Sequence, residues 1–253
     1  MADNPTLEME QPAPVKRKGV KRRAFLIGGV AIVGAGLFGI AIADSNAVKS
    51  AAKLTAGKGE HNFATWLKIA EDNVITIYSP HTDIGQGSNT GLAQMLAEEL
   101  DANWDLVKLV SAPAESAFAN VGLGRGFLGE MTGQPGIVNG IPQSFLSFIA
   151  RQMNLQITGG STALRFTGQV TFQNVGAATR LALIETAAKR LGVPASELTT
   201  QDSHVIHAKS SRSLPYGKLA AEAATLSLNN EPPLKDPKNY RLMRQSVPRL
   251  DIP

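Results

Sequence analysis

The sequence predicts an α/β domain of the α+β kind, mixed sheets with packed helices, behind an N-terminal signal or anchor helix. Three stretches carry that prediction. "NFATWLKIAEDNVITIYSP", residues 62–80, alternates side chains around Glu71-Asp72-Asn73, a hairpin pattern. "SPHTDIGQGSNTGLAQMLAEELD", residues 79–101, runs from a strand end through a tight glycine turn into a helix. "VGAATRLALIETAAKRLG", residues 175–192, is a strong helix stopped by Gly192-Val193-Pro194. At 253 residues the chain can hold one large domain or two small ones with a real core.

Taken in order, residues 1–15 are polar and proline-bearing and fit a disordered leader. A basic tract follows, holding Lys16, Arg17, Lys18, Lys21, Arg22 and Arg23, and then an apolar run from Ala24 to Ala43. Arg22-Arg23-Ala24-Phe25-Leu26 looks like a twin-arginine export signal, and Ala41-Ile42-Ala43 has the small-x-small form of a signal peptidase site. The other reading is a transmembrane anchor, since a helix over this run would span roughly 30 Å. Either way, positive charge stays on the cytoplasmic side and the remainder is expected in the periplasm, with membrane association through residues 24–43.

The net charge of +4 is concentrated in that leader. Residues 1–43 hold six of the 25 bases and three of the 21 acids, which leaves 19 bases and 18 acids in the rest. A broad nucleic-acid surface is not expected from so balanced a remainder. The chain has no cysteine, so it holds no disulfide and no cysteine-ligated iron–sulfur cluster. Redox chemistry here needs another cofactor or a partner that carries electrons.

Residues 44–62 are expected as a linker or early helix, and residues 63–230 as the domain proper. The hairpin's second strand covers Val74 to Tyr78, with Trp66, Lys68 and Glu71 on one side and Leu67, Ile69 and Val74 on the other. After the loop at Gly85-Gln86-Gly87, Asn89 or Thr90 is the expected helix cap, and Asp101-Ala102-Asn103 ends the helix. "WDLVKLVSAP" is the following strand, so the three pieces make a β-loop-α-β unit. "NVGLGRGFLGEMTGQPGIVNGIPQSF" has seven glycines and two prolines in 26 residues and reads as a long surface loop. Gly122, Gly124 and Gly126 do not form a dinucleotide fingerprint, because no strand precedes them. Gln143 to Leu155 is an amphipathic helix with Phe145, Phe148, Ile149 and Met153 on one side. "QITGGSTALRFTGQ" is a second glycine-hydroxyl loop. "SHVIHAKSSRSLPYGKLAAEAATL" reads as two short strands around a basic turn, then a helix. Residues 231–253 are proline-punctuated and expected to be an extended connection to a further domain.

Gly85-Gln86-Gly87 and Gly159-Gly160-Ser161-Thr162 share a design. Glycines let backbone amides approach a ligand, and each loop is followed by a helix whose N-terminus favours an anion. The first loop has no lysine for a triphosphate. Together the two could clamp a cofactor that carries phosphate and polar edges.

Four segments, "SPHTDIGQGSNTGLAQMLAEELDANWDLVKLVSAPAE", "QITGGSTALR", "LPYGKLAAEA" and "PPLKDPKNYRLMRQSVPRLDIP", together resemble the large subunit of the xanthine dehydrogenase and aldehyde oxidase family. The nearest look is to the exported branch of isoquinoline 1-oxidoreductase beta subunits and membrane-bound aldehyde dehydrogenases, N-terminal portion only. The resemblance implies a molybdopterin-binding-domain-like fold and a molybdenum–pterin cofactor, often the cytosine dinucleotide form. It implies hydroxylation of aldehydes or N-heterocycles with water as oxygen source. Gly85, Gln86 and Gly87 would contact the pterin or its phosphates. Gly159, Gly160 and Ser161, with Thr162 beside them, would sit near metal and pterin. The implied partners are the remaining large-subunit segments, an iron–sulfur subunit and a cytochrome c.

The family's catalytic glutamate does not transfer to Glu98, Glu99 or Glu130, and the first two are expected on a solvated helix face. No residue is assigned as catalytic or as a metal ligand, and the chain alone is expected to be inactive. His204 and His207 lie three apart on a strand and face opposite sides, a poor metal pair. His81 could line the cofactor site, with a capping or turn role the stronger expectation. Arg165 could meet a phosphate, with a plain surface role the default. The rival reading is a non-catalytic, exported and membrane-tethered binding or assembly module.

Overall fold

The hairpin around Glu71-Asp72-Asn73 forms the middle of a four-stranded sheet. The computed structural model describes residues 45–119, 143–226 and 232–250. The segment expected as an export signal, the loop at 120–142 with Glu130, and the chain's last three residues lie outside the described residues. No helix among the described residues is long and apolar enough to cross a membrane.

The first sheet has the order β1 (Glu60–Ala64), β2 (Leu67–Ala70), β3 (Ile75–Ser79) and β4 (Val107–Ser111). The first two pairings are antiparallel, and β3 pairs with β4 in parallel from Ile75↔Val107 to Ser79↔Ser111. Helix α2 (Ser88–Leu100) makes the crossover between them. The loop that leaves β3 therefore sits at the carboxyl end of a parallel pair, where α/β folds place ligands. A second sheet of three antiparallel strands holds β5 (Thr199–Gln201), β6 (His204–His207) and β7 (Arg212–Pro215). Mixed sheets with packed helices are thus borne out.

Several elements differ from the sequence reading. The segment expected as a linker or early helix carries α1 (Ser45–Thr55), whose Ala51 is fully buried, and also the start of β1. The side chains of β2 do not alternate between core and water: Leu67, Lys68 and Ile69 are all buried, as is Trp66 just before them. Lys68 tolerates this because its ammonium meets Glu60 at 2.7 Å and the Thr55 carbonyl at 2.8 Å. Burial pulls that ammonium's pKa down, and the bonds to Glu60 and Tyr78 more than offset it. Trp66 stacks edge-on to Phe118 at 5.7 Å and tilts against Phe172 at 6.4 Å, which ties the sheet to the helical layer.

Helix α3 (Gln143–Gln152) forms as expected, with Phe148 and Ile149 exposed. The second glycine loop is shorter than the sequence suggested. Ser161–Ala163 is already helical, a wide π-type stretch follows over Leu164–Phe172, and α4 (Gln173–Leu191) continues from it. Gly168 and Gly176 allow the close crossing with α2: a Cβ at Gly168 would collide with Met95 Sδ, and one at Gly176 with the Leu96 carbonyl. Asp101 and Gly192 end their helices in the left-handed conformation, with φ of 55° and 65°. The last helix, α5 (Tyr216–Ala223), docks through Tyr216, whose hydroxyl donates to the Leu100 carbonyl at 2.7 Å.

Residues 232–250 are not a free connection. They run as a strap along α2, and Gln94, Glu98 and Thr90 bind its backbone. The strap, α4 and the π-type stretch all pack on α2, and nearly the whole helix is buried. The expected solvated face at Glu98 and Glu99 is therefore corrected: they are 1% and 0% exposed.

Candidate functional site: two tied glycine loops

The two glycine loops meet. His81 is buried, with Nδ1 2.9 Å from the Ile157 carbonyl and Nε2 2.9 Å from Thr167 Oγ1. A carbonyl can only accept, so Nδ1 carries the proton and Nε2 accepts from the threonine hydroxyl. Burial drives the imidazole pKa down to about 4, which keeps it neutral. Thr82 N donates to Thr158 Oγ1 at 2.9 Å and adds a second tie. In place of the capping or turn role expected for it, the His81 side chain ties the two loop segments together.

The first loop is held from within. Asp83 Oδ1 accepts from Gly85 N at 2.8 Å and from Gly87 N at 3.4 Å, and Oδ2 accepts from Asn89 N at 3.3 Å. Asp83 therefore does the capping that the sequence reading gave to Asn89 or Thr90. Asn89 and Thr90 lie inside the helix instead, and Asn89 Oδ1 accepts from Ser79 Oγ at 2.6 Å. Gln86 folds back: its Oε1 accepts from Ile84 N at 2.5 Å, and its Nε2 donates to the Thr82 carbonyl and Ser88 Oγ. Gly85 and Gly87 have φ of 100° and 70°, and a Cβ on either would meet no atom within 4 Å. Ile84 projects from the loop tip at 81% exposure.

The second loop is open. Gly160 precedes the helix, and its carbonyl accepts from Ala163 N at 3.0 Å. The N–H groups of Gly160, Ser161 and Thr162 meet no acceptor among the described residues. Arg165 is exposed one turn further on, against the Phe166 ring at 6.0 Å. The sequence-chosen residues thus fall into one neighbourhood, with the amides of the first loop engaged and those of the second exposed.

Sequence reasoning missed the charges behind the site. Glu98 accepts from Arg241 N at 2.8 Å and Met243 N at 3.0 Å, and Lys235 Nζ reaches its carboxylate and its carbonyl. Glu99 accepts from Lys235 N at 3.0 Å and lies 3.8 Å from Arg180. Burial pushes the Glu99 carboxyl up, against the pull of Lys235 and Arg180. Asp101 gathers Lys235, Arg241 and Arg180. These carboxylates bind the strap. On β6, His204 and His207 do face opposite ways: His204 bonds the Asp202 carbonyl, while buried His207 meets Glu197 at 3.0 Å and Ser210 at 2.6 Å. Arg212 Nε donates to the same Ser210 oxygen, which locks the turn.

Comparison with known proteins shows what the chain is similar to. The model of the molybdopterin cofactor-binding domain family matches residues 31–124, a stretch that includes the first sheet and the first glycine loop. The chain is 29% identical to the isoquinoline 1-oxidoreductase beta subunit of Brevundimonas diminuta, over 74% of this chain and 25% of that protein. It is 28% identical to a nicotinate dehydrogenase subunit of Pseudomonas putida, over 77% of this chain and 13% of that protein. It is 26% identical to the membrane-bound aldehyde dehydrogenase [pyrroloquinoline-quinone] of Gluconacetobacter polyoxogenes, over 94% of this chain and 26% of that protein. The resemblance read from the four segments is borne out, and the chain spans about a quarter or less of the length of these relatives.

Proposed function

We propose that this chain is the N-terminal cofactor-binding part of a molybdenum hydroxylase large subunit that oxidises aldehydes or N-heterocycles. The observation that carries the reading is the pairing of the two glycine loops through His81 and Thr82, within a chain similar to molybdopterin-binding subunits. The residues fit such a group. Among the described residues, nothing lies within 4 Å of a Cβ built at Gly85, Gly87 or Gly160, so a flat ligand could approach the backbone closely there. Gly160, Ser161 and Thr162 would give amides and hydroxyls to its anionic end, with Gly159 shaping the turn. Gly85, Gln86 and Gly87 would line its other side, with Ile84 as an apolar edge. When bound, the molybdenum–pterin group supplies the two-electron oxidation, with water as oxygen donor. This chain's residues would hold and orient it, and none is assigned a proton transfer.

The finer points belong to the same proposal: the cytosine dinucleotide form, an iron–sulfur subunit as electron acceptor and a cytochrome c beyond it. So do the remaining large-subunit segments as the source of the catalytic glutamate. The leader supports export by the twin-arginine route to the periplasm, with the inner membrane as the site of any anchor. The domain would span residues 63–230. A second reading, a non-catalytic exported binding or assembly module, is favoured by one observation: Asp83 already occupies the amides of the first loop.

The test is molybdenum and pterin content after native purification from periplasmic and membrane fractions, with co-purifying chains identified by mass. Molybdenum together with a second large chain and an iron–sulfur chain is the expected result. Metal-free protein recovered alone would remove the enzyme reading in favour of the module.

A further inference from the structure

The strap that crosses α2 ends at the first glycine loop. Arg249 Nη2 lies 3.5 Å from Asp83 Oδ1, and Leu250 N donates to Thr90 Oγ1 at 3.2 Å. Asp83 is the carboxylate that fixes Gly85, Gly87 and Asn89, and its side chain is 9% exposed. Upstream, the strap is fastened where Glu98, Glu99 and Asp101 take Lys235 and Arg241. A carboxylate removed from water gains from a cation beside it, and a charge-assisted bond fixes its orientation.

We propose that Asp83 and Arg249 are the positioning pair of the Gly85–Gly87 loop. The docked strap delivers Arg249 to Asp83, and Asp83 in turn sets the loop's amides. The shape of the loop then depends on a residue 166 positions later in the chain. The loop presents its glycine faces, and its amides are spent on the protein's own anion. This rests on the reading that the loop contacts the cofactor, and it concerns how the loop is set.

The test is native-state hydrogen exchange on the full chain, comparing wild type with Arg249→Gln, Arg249→Lys, Asp83→Asn and the double variant Asp83→Asn/Arg249→Gln. Arg249→Gln is expected to speed exchange at Gly85 and Gly87 by roughly threefold to tenfold, and Arg249→Lys to recover most of it. Asp83→Asn should speed exchange further, and adding Arg249→Gln to it should change nothing more. Leu96, mid-helix, should keep its wild-type rate in all variants, which separates a loop effect from general loss of stability. Unchanged exchange at Gly85 and Gly87 in Arg249→Gln, or additive effects of the two substitutions, would overturn the pair. Exchange needs no bound cofactor. Coupled loops in a protein that never acquires molybdenum would overturn the functional reading alone, and molybdenum-loaded protein without coupling would overturn the pair alone.

Discussion

At the first glycine loop, two glycine amides and the amide of Asn89 point at the carboxylate of Asp83. At the second, the amides of Gly160, Ser161 and Thr162 open a long helical run and meet no carboxylate among the described residues. The two look alike as strings of glycine and hydroxyl residues ahead of a helix. They differ because Asp83 stands two residues before Gly85, the spacing at which a short acidic side chain bonds its own backbone. The comparison teaches that a glycine loop is an anion cradle only where the chain has not supplied the anion itself.

The largest expected effect lies in the strap that supports the first loop and not the second. Glu98→Ala should cost about 3–5 kcal/mol in urea unfolding, because it leaves two strap amides without their acceptor and Lys235 with Asp101 as its remaining carboxylate. A loss below about 1 kcal/mol would mean that the strap is not fastened there. Next comes the tie between the loops. His81 has its folded pKa depressed to about 4 from an ordinary 6.5, so its stabilising contribution is full above pH 6.5 and is lost as pH falls toward 4. The size is about 3 kcal/mol, read as the shift in urea midpoint between pH 7 and pH 4 in wild type against His81→Gln, which should lack this component.

A smaller pair of substitutions addresses the contrast itself. Asp83→Ala removes a cap and should cost about 1–2 kcal/mol, whereas Ser161→Ala removes none and should stay within about 0.5 kcal/mol. Equal losses, measured by thermal unfolding, would erase the difference between the loops. The smallest effect falls away from both. Thr65 is fully buried at the β1–β2 turn and its hydroxyl meets no partner among the described residues, so Thr65→Val should leave stability unchanged or raise it by up to about 1 kcal/mol.

Much of the fold was legible in the sequence because its signals are local. The Glu71-Asp72-Asn73 turn, the α2 pattern and the Gly192 stop each declare themselves within a few residues. The burial of Lys68, Glu98 and Glu99 was not legible, since it depends on partners far along the chain: Lys235 lies 137 residues beyond Glu98. A charged residue on an apolar helix reads as solvated until its partner is found. The two glycine loops ahead of helices were legible. The meeting of the two loops, His81 to Ile157 across 76 residues, was not, because no local pattern encodes it. Asp83 could have been found from the D-x-G spacing alone.

The most direct test of the division between the loops is a titration of the full chain with inorganic pyrophosphate, followed by amide NMR shifts. The account predicts saturable shifts at Gly160, Ser161 and Thr162, with Gly85 and Gly87 unmoved. Shifts at Gly85 and Gly87, with the second loop silent, would contradict it.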